Sequence, residues 1–419
     1  MKKVILSAAA LMFGAVAFAQ SNNSDVDQVG FRNHATVGQT GTLNDSKVLQ
    51  GEAGNKGLNN HATVTQSGSK NDSDITQFDG ITNENFNNEA TVTQSSTSTG
   101  NTSVVDQLDN DNKAWVTQDG TNESTVTQSE DFNESTVNQY GSNTSEVTQS
   151  GSTPGNDQPN NQAFVDQGMS GSEVSGNMAT ISQERTAFNA KKNLADVEQM
   201  SDDNSATVTQ TDFSNTAYVM QSGSAAGAGT GNTAVIEQAV LSVSGSKGGE
   251  LNNATIEQVG NGNDGYISQA FQYGNGTDGN IATQTQTGDD NEAETYQQSD
   301  DSESYIVQND NGNTALDIQR GSNQYSEVTQ NGDGNDSKLF QNGFSNKSFV
   351  TQTSYSSGNT SDVYQNGGRN MSTVLQDGNG NDAIVTQNGT FNAAVGAMNH
   401  ISDINQMGNC NTATVTQSN

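Results

Sequence analysis

Along this chain apolar and small residues alternate with polar ones, and the stretch Asn60 to Gln77, NHATVTQSGSKNDSDITQ, shows the rule most openly. Asn60, Ala62, Val64 and Gln66 occupy alternate positions, as do Asn71, Ser73, Ile75 and Gln77. Two is the period of a β-strand, whose successive side chains point to opposite faces. The intervening Ser67-Gly68-Ser69-Lys70 has Gly at its second position and reads as a tight turn. The pattern predicts strand, turn, strand. Each strand carries inward an Asn, a small residue, a β-branched aliphatic residue and a Gln.

The unit recurs from Asn22 onward: Asn33, Ala35, Val37, Gln39, then Asn44, Ser46, Val48, Gln50. Gln28, Gln39 and Gln50 are spaced by eleven, and the same step returns through Gln286, Gln297, Gln308, Gln319, Gln330, Gln341 and Gln352. Gln376 and Gln387 close the units Asn370–Val374 and Asn381–Val385, Asn392-Ala394-Gly396-Met398 is degenerate, and Asn411, Ala413, Val415, Gln417 restore the consensus. Insertions break the series before residue 285; Ser150 to Asn160, with Pro154 and Pro159, is the clearest excursion loop. Repetition at a short fixed period predicts a solenoid. The expected fold is all-β, with two parallel in-register strands per rung of ~22 residues and cross-β stacking. Roughly thirty strands make about fifteen rungs and a stack of roughly 70 Å. The chain divides into 1–19, an irregular stretch 20–285 and a regular stretch 286–419, expected to be the better-formed half of one continuous solenoid.

The residue types fit such a stack. A small residue beside Val37, Val48, Val64, Ile75, Val374 or Val385 fills only a thin core, so two strands must lie close together. Asn and Gln at the ends of the face can hydrogen-bond to their counterparts in the neighbouring rungs, whereas an unladdered buried amide costs a few kcal/mol. Burying one Val contributes about 1.5–3 kcal/mol, while ordering each backbone residue costs at least ~1 kcal/mol. A lone rung therefore should not fold, and stability must come from cooperative growth. Neither end carries an inward charge or a proline plug, and Asn411, Ala413, Val415 and Gln417 form an exposed terminal strand able to recruit another copy by strand addition.

Composition then changes the picture. At 29% hydrophobic residues and a formal charge of −33, the chain would read as disordered if its order were ignored. Positional regularity overrides that reading. The acidic balance excludes a nucleic-acid footprint. Outward acids such as Asp25, Asp27, Asp74, Asp106, Glu146, Asp196, Glu198, Glu237 and Glu257 should repel stacked neighbours, so assembly should accelerate toward the pI near 4.1. Lys2 and Lys3, an apolar run from Val4 to Phe18 and the ending Ala17-Phe18-Ala19 form a secretory signal peptide cleaved between Ala19 and Gln20. No other segment could cross a membrane, so the mature protein is expected outside the cell without membrane insertion. Cys410 alone excludes an intramolecular disulfide framework.

The spacing Asn60-x5-Gln66-x4-Asn71-x5-Gln77 resembles the curlin repeat of bacterial curli, Ser-x5-Gln-x-Gly-x-Gly-Asn-x5-Gln. Asn33/Gln39/Asn44/Gln50 and Asn370/Gln376/Asn381/Gln387 share it, the latter with Gly378 and Gly380. The resemblance implies a curlin-like β-solenoid subunit of an extracellular amyloid fibre used in biofilm matrix and adhesion. It also implies a homopolymer as partner, together with a nucleator and an outer-membrane secretion pore. The chain departs from curlins in favouring Asn at the opening position, in its length, and in starting its repeats directly after the signal.

No catalytic, cofactor or metal site is expected. His34, His61 and His400 sit in separate units, and the Asp-rich Asn331–Asp336 and Asp377–Asp382 lack the closing Glu of a calcium loop and read as turns. Two rival functions remain. Outward Thr pairs, Thr63/Thr65, Thr91/Thr93, Thr125/Thr127, Thr207/Thr209 and Thr414/Thr416, would suit an ice-binding monomer if they stood on consecutive rungs. Acids, Tyr218 and the outward Trp115 interrupt that face, while outward Tyr218, Tyr266 and Phe349 would suit a surface adhesin or carbohydrate binder.

Overall fold

A computed structural model describes residues 21–51, 57–78, 87–97, 99–151, 161–184, 192–211, 214–223, 231–238, 251–269, 279–298, 300–353, 358–389 and 400–418. The expected signal cleavage at Ala19 and Gln20, both prolines and the unit Asn392–Met398 lie outside the described residues. Among those described, the regular structure is entirely β-strand, from Asn23–Gln28 to Thr412–Ser418.

Every long strand pairs in parallel and in register with the strand two units away in the chain. Asn23–Gln28 pairs with Asp45–Gln50, which pairs with Asp72–Phe78. In the alternate series His34–Thr42 pairs with His61–Ser69, which pairs with Glu89–Ser96. The two series interleave along the chain and end together, at Thr412–Ser418 and Ile401–Met407. The Gln positions stay in register across the insertions, Gln221 against Gln258 and Gln387 against Gln417, although the pairing shifts once between Ser142 and Thr144. The strand Glu134–Ser150 serves both series, Glu134–Gln139 in one and Thr144–Gln149 in the other. It links them into one 30-stranded hydrogen-bonded sheet.

Alternation along each strand sorts its side chains. The Ala/Ser, Val/Ile, Gln and Asn positions are buried, while the positions between them are half-buried or exposed. Ser67-Gly68-Ser69-Lys70 is not the four-residue turn that its composition suggests. The strand His61–Ser69 runs through Gly68, and the chain reverses at Lys70, whose φ is 61°. The same left-handed conformation recurs at the residue immediately before the unit's opening Asn. Leu43, Phe132, Leu251 and Cys410 adopt it, and Gly312, Gly334 and Gly380 supply it without strain. Gly68 has a different constraint: a Cβ there would lie 1.6 Å from the carbonyl oxygen of Ser96 in the next strand.

The apolar core is not continuous. One cluster runs from Val48 to Ala282 and a second from Ala293 to Ile404. At the junction the aliphatic position is held by the polar Gln284 and Thr295, and after Ile306 by Asp317, all fully buried. The regular stretch after residue 286 is thus not the better-packed one throughout, because its first strands carry the polar interruption.

Candidate functional site: the amide ladders

The side chains that set this molecule apart are its inward Gln and Asn residues. Gln39 Nε2 donates to Gln66 Oε1 (2.8 Å), and Gln66 to Gln94 (2.9 Å). Each step is repeated in that series to Gln376 and Gln406 (2.9 Å). In the other series Gln28 donates to Gln50 (2.6 Å), Gln50 to Gln77 (2.8 Å) and Gln77 to Gln107 (2.8 Å), and so on to Gln387 and Gln417 (2.9 Å).

The primary amide has two N–H groups, and the second also finds a partner. It crosses to the main-chain carbonyl of the residue opening the facing strand: Gln50 to His34 (3.1 Å), Gln66 to Asp45 (2.7 Å), Gln77 to His61 (3.1 Å). Each ladder Gln from Gln39 onward therefore joins its own series lengthwise and the opposite series sideways, which meets the requirement that buried donors be paired. This crossing bond is not readable from spacing, because nothing in the repeat says which backbone group faces the amide.

Asn bonds differently. Its Oδ1 accepts the main-chain N–H of the next Asn in the series: Asn60 N–H to Asn33 (3.2 Å), Asn71 to Asn44 (3.1 Å), Asn370 to Asn346 (3.0 Å), Asn381 to Asn359 (3.0 Å) and Asn411 to Asn381 (3.0 Å). The side-chain N–H of Asn71 also donates to Asn44 Oδ1 (3.1 Å) and back to the Ser67 carbonyl (2.7 Å). Asn thus holds the turn as well as the stack. Val48, Val64, Ile75, Val374 and Val385 are buried, and Val37 packs half-buried at the end of its cluster. Asn411, Ala413, Val415 and Gln417 are half-buried in the last described strand.

The Asp-rich turns are ladders too. Asp289 Oδ1 accepts the N–H of Asn261 (2.9 Å), Asn311 Oδ1 that of Asp289 (2.8 Å), and Asp333 Oδ1 that of Asn311 (3.0 Å). These carboxylates are occupied by neighbouring backbone, and among the described residues no three ligating side chains converge for a metal. His34 and His61 stack on each other at 4.8 Å. Tyr266 donates to Glu237 (2.7 Å), Tyr218 to Glu198 (3.4 Å), and Phe349 packs on Tyr325 at 5.4 Å. Thr63 and Thr65 lie directly against Thr91 and Thr93, so those two pairs do occupy successive strands; Trp115 follows in the column of Thr91.

Several acids stand above their ordinary range. Burial, reinforced by Glu198 and Asp166, lifts Asp196 to about 6. Burial lifts Asp317 to about 6 against two serine hydroxyls that favour its anion. Asp317 escaped the sequence reading, although counting two residues back from Gln319 puts it at the core position.

Residues 357–389 match the family model of the curlin-associated repeat. No curated protein matches the chain. The matched segment contains the strands Thr360–Gly368, Met371–Asp377 and Asp382–Asn388, whose Gln and Asn lie in the same ladders as the rest of the chain. Residues 357–389 therefore carry a curlin-associated repeat, and that repeat belongs to a structural family.

Proposed function

We propose that this chain is the secreted structural subunit of an extracellular, curli-like functional amyloid fibre. One strand of each series makes a rung, rungs stack in the cross-β manner, and residues 20–419 form a single continuous solenoid after removal of 1–19. The observation that carries the reading is the unbroken pair of Gln ladders ending in strands with an open edge. Among the described residues Thr412–Ser418 is paired only with Asp382–Asn388, and Asn23–Gln28 only with Asp45–Gln50. The two edges bear the same motif: Asn22, Ser24, Val26, Gln28 on one, and Asn411, Ala413, Val415, Gln417 on the other. A second copy of the chain can therefore continue both the backbone and the amide ladders.

A nucleator and an outer-membrane pore are the further partners that such a subunit requires, and biofilm matrix and adhesion are the roles that the fibre would serve. The test is to dilute residues 20–419 from denaturant. Thioflavin-positive fibres under the electron microscope, with a meridional diffraction spacing near ~4.8 Å, are expected. A chain that stays single and soluble at high concentration for days would overturn the reading.

A further inference from the structure

The interruption between the two apolar clusters has an unusual centre. Among the described residues Asp317 is the only acidic or basic side chain in the buried core. Oδ2 accepts hydrogen bonds from Ser304 (2.5 Å) and from Ser326, both on the facing series, while Oδ1 has no partner. Ser304 is in turn near Thr295 (3.5 Å), which accepts from Gln284 (3.1 Å). A polar tract thus runs through the core from Gln284 to Ser326.

The tract disturbs the ladder it adjoins. Gln319, on the same strand as Asp317, donates to Ser326 Oγ (2.9 Å) and to the Glu303 carbonyl (2.8 Å). Its step to Gln341 stretches to 3.3 Å, against 2.9 Å for the preceding step from Gln297. The longest bond of the two Gln ladders thus falls beside the buried carboxyl.

No counter-charge is at hand. The inward positions of the facing strands Glu303–Asn309 and Tyr325–Asn331, and of the flanking Glu292–Gln298 and Asp336–Phe344, are uncharged. The charged groups on those strands, Glu292, Glu294, Glu303, Glu327, Asp336 and Lys338, occupy outward positions. So do Tyr296, Tyr305 and Tyr325, whose hydroxyls donate to Glu294, Glu303 and Glu327. An anion fully removed from water with two hydroxyl donors and no cation is costly, and the neutral acid is not.

We propose that the tract from Gln284 to Ser326 is a proton-operated weak layer: with Asp317 ionised, the strands around it open independently of the rest of the stack, and with Asp317 protonated they are locked into it. The inference concerns the fold itself and holds whether or not copies of the chain assemble. The sign follows from burial. The folded chain holds this proton up to about pH 6, whereas the unfolded chain releases it near 3.8. Between those values the folded state binds more protons, so local stability falls as pH rises through the window and is lowest above it.

Hydrogen exchange of the full chain and of Asp317→Asn, at about pH 5 and about pH 7.5, tests the layer because comparison at equal pH cancels intrinsic exchange and the shared surface acids. At the higher pH the amides of residues 292–342 should exchange up to about 100-fold faster in the natural chain than in the variant, with the excess largely gone at the lower pH. The strands Ser205–Thr211 and Thr233–Gln238, in the first apolar cluster, should not respond. Asp317→Val, which restores the usual core residue, provides a second neutral variant should the amide fail to fold. Equal protection in natural and neutral chains at the higher pH, or a difference spread evenly over both clusters, overturns the proposal.

Discussion

From Val48 to Ala282 the two series share an uninterrupted apolar core, whereas between Gln284 and Asp317 only Ile306 keeps the aliphatic position that Gln284, Thr295 and Asp317 fill with polar side chains. The Gln ladders nevertheless pass through both regions without a missing step. The contrast separates two jobs that coincide elsewhere in the chain. Apolar burial supplies cohesion, while the amides maintain register, since a one-residue slip would turn every Gln outward. Register survives where cohesion is thin.

The sharpest way to break this comparison is at the close backbone approaches between stacked strands of the apolar region. Gly68→Ala puts a methyl group into the Ser96 carbonyl, so it should cost several kcal/mol (~3 or more) and lower the melting temperature steeply. Next in size is the ladder itself. Gln297→Leu strips donors from Gln319, the Ile281 carbonyl and the Ser302 carbonyl, and should cost about 3 kcal/mol or more in denaturant unfolding. Gln94→Leu strips only Gln118 and the Asp72 carbonyl and should cost about 1 kcal/mol less. Equal losses would mean that the polar region leans on its ladder no more than the apolar one does.

Asp317→Val should stabilise the chain by about 2 kcal/mol near neutral pH, and by less at acid pH, as read by the same unfolding curves. Gly312→Ala, in the polar region, meets no atom within 4 Å and keeps only the strain of φ 65°, so about 1 kcal/mol is expected. The smallest effect per site comes from the surface acids. Asp72, Asp106 and Asp264 stand raised chiefly by burial, and Asp196 by burial with its acidic neighbours. The folded chain therefore takes up protons at higher pH than the unfolded one, and its stability grows as pH falls through the range from about 6 toward 3.8. Fibre growth followed by thioflavin signal should quicken over the same range; rates that are flat from about pH 8 to about pH 4 would remove repulsion as a brake.

Much of this architecture is legible in a single line of sequence, because a period of two is a direct image of strand geometry. Asn60 to Gln77 alone yields the two strands His61–Ser69 and Asp72–Phe78 and their inward residues. Parallel in-register pairing follows from identical units needing identical neighbours. What escaped is of another kind. The second amide bond of Gln50 or Gln66 depends on the height of one series relative to the other, which no repeat spacing encodes. The true reversal at Lys70 rather than across Ser67–Lys70 depends on stacked backbones, since Gly68 is required by Ser96, twenty-eight residues away. Asp317 is hidden for a simpler reason: Gln319, two places later, keeps the eleven-residue beat, so the spacing carries no mark of the acid.

Every ladder Gln donates toward the later strand and accepts from the earlier one, so the side-chain dipoles along each column add instead of cancelling. The stack is consequently a vector. One end strand displays amide oxygens and the other amide hydrogens, and two like ends brought together would set lone pair against lone pair or N–H against N–H. Any join made through those strands has a single permitted sense, which gives a rod of such molecules a distinguishable front and back.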